Sequence, residues 1–280
     1  MAVDELGAHI VAFFGTYLPK VKGASPNTTR AYRDALLQLL DFAAAIKRAG
    51  INSITISDLS AEVIEKFLLH LEEERGVAPS TRNHRLAAIC SFFRYVQKRD
   101  LSLFALCQSI LSIEKKKAPE TVIPYLSIEE MKVLLRLPDA TNQRGLRHLA
   151  ILSLLYESAA RIQELIDICV VDIGADFRVV TLHGKGSKTR LVPIGKETAL
   201  VLRRYLKVNP REQDERLFTG RHNFPISRSG IQYVIDTYIS AARAAKPGLF
   251  SKKVTAHIFR HSRSMHLLES GVHSFISQPC

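Results

Sequence analysis

The chain has 280 residues, 46% of them hydrophobic, with 39 Lys and Arg against 27 Asp and Glu and a formal net charge of +12. Single domains run to about 100–200 residues, so this is apolar material enough for two cores and excludes a disordered chain. The positive surplus is spread along the sequence instead of gathered in one tail, which favours a polyanionic partner such as nucleic acid.

In chain order, the N-terminus MAVDELGAHIVAFF sets Asp4 and Glu5 where a signal peptide carries basic residues. No apolar run approaches the ~18 residues of a membrane span, so a cytoplasmic chain with no membrane partner is expected. The next stretch, to about residue 112, reads as helical. Ser25, Asn27 and Thr28 are candidate caps for a helix whose apolar positions are Tyr32, Leu36, Leu39, Leu40 and Ala43, with Arg30 on the opposite face. A second helix starts at Asp58 or Ser60 and ends before Gly76. A third carries the stripe Leu86, Ile89, Cys90, Phe93 and Val96, and its first part presents Arg82, Asn83, His84 and Arg85 towards a possible phosphate backbone. Residues 113–126, with Lys115, Lys116, Lys117 and two prolines, read as an interdomain linker. Ser127 and Glu130 then form a capping box that opens a second domain.

That domain is mixed. RGLRHLAILSLLYESAARIQELIDI reads as two helices joined near Ser158 to Arg161. FRVVTLH and TRLVPIG are β-branched runs around the Gly-rich GKGSK, the pattern of a hairpin. Helices follow over 197–207 and about 229–245, and a last one begins near His257. The four cysteines, Cys90, Cys107, Cys169 and Cys280, form no C-x-x-C pair and read as reduced thiols.

Breaking a phosphodiester without a metal requires cations on the non-bridging oxygens, a proton donor for the leaving oxygen, and a nucleophile. Arg161, between two predicted helices, can grip two phosphate oxygens as a fork. His257 and Arg260, spaced i,i+3 at a helix start, leave one face and can converge on one phosphate. Lys185, in the hairpin turn, can reach a leaving 5′ oxygen with its ammonium. Each has a plainer reading as well: an Arg161–Glu164 ion pair, a solvated Lys185, and a helix packed by His257 and His261. GKGSKT fails as a Walker loop, because Ser187 stands before Lys188 where glycine is required and no helix follows. His257 and His261 lack the glutamate and third ligand of a zinc site, so no metal and no cofactor is expected.

The order of these residues resembles the tyrosine recombinases, also called the phage integrase family, with its Xer-like and transposon-encoded members. SAARIQEL, Ser158 to Leu165, is similar to the family's T-G-L-R-I-S-E-L box; GKGSKTRLVP, Gly184 to Pro193, to its G-K-G-N-K-E-R-L-V-P hairpin; TAHIFRHS, Thr255 to Ser262, to its S-P-H-x-L-R-H box. SPNTTRAYRDAL and STRNHRLAAICSFFRYV are similar to parts of its core-binding domain. The likeness spans about residues 10–272. It departs at Gln163, at Ala256, and at Ala159, where the family carries glycine; a turn there with positive φ would suit alanine poorly.

The resemblance implies a mainly α fold with a small β-sheet in the second domain. A helical, SAM-like core-binding domain spans 1–112, a linker 113–126, and an integrase-type catalytic domain 127–280. It implies catalytic roles for Arg161, Lys185, His257 and Arg260, and DNA contacts from Arg30, Arg82, Arg85, Lys115, Lys116, Lys117 and Lys188. The implied partner is double-stranded DNA in a bacterial nucleoid, bound by the family as a tetramer; a monomer in solution is the expectation for this chain. The family's nucleophile is a tyrosine beyond the H-x-x-R box, which forms a 3′-phosphotyrosine. All eight tyrosines here, Tyr17 to Tyr238, precede His257. The expectation is therefore a catalytic domain lacking its C-terminal end and a chain that does not cleave. Two functions stay open: a site-specific recombinase or integrase by descent, and a non-catalytic DNA-binding remnant or regulator that occupies recombination sites.

Overall fold

Several helices begin where the sequence supplies a side-chain cap. The computed structural model describes residues 5–119, 123–184 and 188–271, and the chain divides into two units, residues 1–120 and 121–280. In the first, α1 (Glu5–Ala12) runs on into a wider, π-type stretch (Phe13–Val21), followed by α2 (Pro26–Lys47), α3 (Ala61–Glu73), α4 (Pro79–Gln97) and α5 (Phe104–Leu111). Ser25 and Ser60 accept the N–H groups of Thr28 and Val63, each closing an otherwise unsatisfied first turn. Pro26 and Pro79 stand in first turns, where a missing N–H is harmless. The stripe Leu86, Ile89, Cys90, Phe93 and Val96 is buried as its spacing predicts. It packs with Phe13, Leu39, Phe67 and Phe92, and the rings of Phe13 and Phe92 meet edge-on at 5.3 Å.

After α5 the chain turns back along α3 and α4. Asn83 holds the backbone of Lys116 at both ends: Nδ2 donates to its carbonyl at 2.7 Å and Oδ1 accepts its N–H at 3.0 Å. Arg82 donates to the Glu114 carbonyl at 3.0 Å, and Lys116 pairs with Glu72 at 3.0 Å. Residues 114–116 are thus fastened to the first unit.

The second unit contains α6 (Ile128–Arg136), α7 (Gln143–Glu157), α8 (Ile162–Asp167), β1 (Val179–His183), β2 (Thr189–Pro193), α9 (Lys196–Val208), α10 (Arg228–Ala245) and α11 (Ala256–Glu269). Ser127 and Glu130 form the capping box of α6, and the second oxygen of the buried Glu130 accepts the Phe250 N–H. Antiparallel β1 and β2 pair Val180 with Val192 and Leu182 with Arg190, and Gly184 N–H to the Lys188 carbonyl closes the turn. Val180 and Leu182 are buried, so this face of the hairpin looks inward. The chain enters the unit pinned to α11, because the fully buried Ser262 hydroxyl accepts the Leu126 N–H at 2.8 Å. The fold is mainly α with one two-stranded antiparallel sheet among the described residues. None of their helices is long and apolar enough to cross a membrane.

Candidate functional site

The turn from α7 to α8 is built to present backbone as well as side chains. Ser158 donates to the Leu154 carbonyl at 2.6 Å and accepts the Ala160 N–H, ending α7. Ala159 sits at φ +46°, the left-handed region that glycine adopts without cost. This conformation belongs to a turn whose Ala159 carbonyl accepts from Arg260 Nη1 at 2.6 Å. The strain foreseen for Ala159 is present, and it lies at the contact between the two arginine-bearing segments.

Arg161 occupies the N-cap of α8, and Glu164, three residues on, reaches back to accept its backbone N–H at 2.8 Å. The same carboxylate accepts Arg161 Nη1 at 2.8 Å. From β2, Arg190 completes the shell as a fork, Nη1 to Oε1 at 3.1 Å and Nη2 to Oε2 at 2.6 Å. Burial would raise the Glu164 carboxyl, but the hydrogen bonds from Arg190 and Arg161 override it and hold the group at about 2. Arg260 is lowered by its own burial and by repulsion from Arg161 and Arg190, with Glu164 opposing. Two guanidiniums, those of Arg161 and Arg190, therefore share one carboxylate, Arg260 is held beside them through the Ala159 carbonyl, and a positive surplus remains. Arg161, its side chain 62% exposed, commits one terminal nitrogen to that carboxylate.

Of the four residues assigned catalytic roles, Arg161 and Arg260 are brought together. His257, exposed and one turn before Arg260 on α11, shares its side of the helix. Lys185 lies outside the described residues. The root of its hairpin is over the carboxylate: a Cβ built on Gly184 would lie 3.6 Å from Glu164 Oε1. Lys188 is exposed beyond that turn. In the first unit Arg30 is exposed and lines a shallow groove with Arg33, Pro19 and Pro26. Arg85 reaches the Ala31 carbonyl at 3.5 Å. Arg82 and Lys116 make the contacts that fasten residues 114–116, while Lys115 and Lys117 are exposed.

In the sequence Glu164 reads only as an ion-pair partner, and Arg190 lies outside the three motif boxes' candidate residues. A signal existed: in the alternation of TRLVP, Arg190 and Val192 share one face of the strand, and a cation on an inward face demands a carboxylate. Tyr156, which precedes the Arg161 turn, is not part of this cluster. Its hydroxyl meets His266 Nδ1 at 2.8 Å, and His266 lies nine residues after His257, two and a half turns round α11 and on the opposite face.

Residues 124–276 match the Phage integrase family and residues 12–103 match the Phage integrase, N-terminal SAM-like domain. The chain is 35% identical to y4rC of Sinorhizobium fredii strain NGR234, which carries an integrase/recombinase name, over 96% of this chain and 81% of that one. It is 32% identical to the tyrosine recombinase XerC of Myxococcus xanthus over 92% of this chain and 83% of its relative. Among solved structures, the Tn1549 transposon integrase in complex with circular intermediate DNA aligns with a TM-score of 0.68 at 15% identity, covering 94% of this chain and 88% of that one. The XerH site-specific recombinase bound to palindromic difH substrate aligns with 0.69 at 20% identity, covering 91% and 72%. These two likenesses are of fold.

Proposed function

This chain belongs to the phage integrase family, the tyrosine recombinases, and is Xer-like; from that premise we propose that its second unit grips a backbone phosphate of duplex DNA between Arg161 and Arg260. The observation that carries the reading is the meeting of Arg161 and Arg190 on the single carboxylate of Glu164, with Arg260 held to the same turn by the Ala159 carbonyl. Cations held in place before the ligand arrives stabilise charge without reorganising when it comes. In this reading His257 adds a hydrogen bond to the same phosphate, and Lys185 protonates the leaving 5′ oxygen. Arg30, Arg85, Lys115, Lys117 and Lys188 neutralise flanking phosphates, and Arg82 and Lys116 act through the segment they fasten. The domain limits proposed remain 1–112, 113–126 and 127–280.

Family members cleave through a 3′-phosphotyrosine. All the tyrosines of these 280 residues precede His257; in the second reading this stretch, as a monomer before DNA binds, occupies a recombination site and polarises the phosphate without attacking it. Electrostatic stabilisation accelerates only a reaction that has an attacking group.

Electrophoretic mobility shifts on duplex DNA over a salt series test the binding proposal. With six to ten phosphate contacts, affinity should fall about 10³- to 10⁵-fold between 50 and 200 mM salt; a flat response sinks it. Nicked suicide duplexes incubated with the 280-residue chain should trap no covalent adduct, and an adduct on a gel would overturn the occupancy reading while leaving the phosphate grip intact.

A further inference from the structure

The two arginines on Glu164 are not equivalent. Arg161 is 62% exposed and commits Nη1 and its backbone N–H, whereas Arg190 is 33% exposed and commits both terminal nitrogens. A carboxylate offers about four lone-pair positions, and these four donors match them. Arg161 is thus equipped to take a further ligand, and Arg190 to hold the carboxylate.

We infer that Arg190 is a positioning residue for the phosphate grip, an inference that rests on the reading proposed above. It balances the charge of Glu164, so the carboxylate can orient Arg161 through backbone and side chain without cancelling the field that Arg161 and Arg260 present. Arg190 also stands opposite Leu182 on the inward face of the hairpin, so its fork registers β2, and with it the hairpin root at Gly184, against α8. One side chain fixes both the arginine that grips and the strand that carries the lysine-bearing turn. A lysine in its place would supply the charge but only a single-point contact.

The test uses the full 280-residue chain and sodium sulfate, a tetrahedral dianion, followed through the arginine Nε–H resonances. In the native chain the Arg161 and Arg260 signals should move with one common Kd, while that of Arg190 stays still. Arg190→Ala should weaken this Kd about tenfold, and Arg190→Lys should leave it weakened at least about threefold, since charge without the fork does not restore the geometry. Arg204→Ala, which removes the same charge from α9, should leave it within about twofold. A second readout is the Glu164 carboxyl carbon, which should report a fully ionised group at pH 5 in the native chain and a partly protonated one in Arg190→Ala.

Full affinity in Arg190→Lys, an unchanged Kd in Arg190→Ala, or an Arg190 signal that tracks sulfate as Arg161 does would each overturn the assignment. If Arg190→Ala does not fold, Arg190→Lys decides alone. Silence of Arg161 and Arg260 towards sulfate in the native chain would instead remove the phosphate-grip reading, and the Glu164 carbon would still report on Arg190.

Discussion

The two units bury different chemistry. Every buried side chain of the first that bears on its core is apolar, aromatic or a thiol, from Phe13 and Leu39 to Tyr95 and Cys107. The second encloses Glu130, His148, Ser153, Ser158, Glu164, Thr198, Thr219, Ser262 and His266, and among the described residues no such group is buried in the first. A core made only of packing needs its neighbours to fill space; a core with acids and imidazoles needs each partner in place, because a buried polar group left unmatched costs about 1–3 kcal/mol. Among the described residues, no charged side chain of the first unit is buried. The second has the means to fix charged groups at set distances, and there the arginines converge.

Acid should separate the two most strongly. Burial, with Arg147 and Arg144 nearby, holds the His148 imidazole down at about 4, below its ordinary 6.5. Arg147 donates towards Nε2, which leaves Nδ1–H to bond the Tyr238 hydroxyl at 3.1 Å. The unfolded chain takes up this proton first, so the contribution is complete above pH 6.5 and is lost as pH falls towards 4. The loss reaches about 3 kcal/mol. Below 4.5 the depressed Glu164 adds to the same loss, its share vanishing as pH nears 2. Urea titrations resolved by methyl resonances should show the second unit weakening between pH 6.5 and 4 and the first unmoved; parallel decline of both units would erase the distinction.

Smaller effects probe single contacts. Glu164→Ala should destabilise the second unit by about 2 kcal/mol in the same titrations, less than a fully buried pair would, because Arg161 and Arg190 keep access to water. Asn83→Ala removes both bonds to Lys116 and should cost the first unit about 1–2 kcal/mol locally, read as faster amide hydrogen exchange at residues 114–116 with no change in the second unit. Ala159→Gly should stabilise the second unit by about 0.5–1 kcal/mol, since relief of the positive φ outweighs the extra freedom glycine brings to the unfolded chain. Loss of stability on that substitution would show that the turn is not strained.

Much of this architecture was readable beforehand where the determinant is local. Apolar spacing placed α2 and α4, Ser60 and Gly76 bounded α3, Ser127 and Glu130 announced α6, and the GKGSK turn between β-branched runs announced the hairpin. The glycine-to-alanine departure at Ala159 pointed to a positive φ that the structure contains. What escaped were partnerships between segments distant in the chain. Arg190 meets Glu164 across 26 residues and Asn83 meets Lys116 across 33. A motif of cations does not name the carboxylate that arranges them. Arg82 and Lys116 likewise read as free basic residues, because their carbonyl and carboxylate partners become neighbours only once α3, α4 and the returning chain have packed.

The clasp on Lys116 and the pin at Leu126 together define a leash. Each end is anchored by hydrogen bonds to its own unit, and ten residue steps separate the anchors, so the fully extended tether reaches at most about 35 Å. Each residue inserted between Lys117 and Tyr125 would lengthen that connection by at most about 3.5 Å without touching either anchorage.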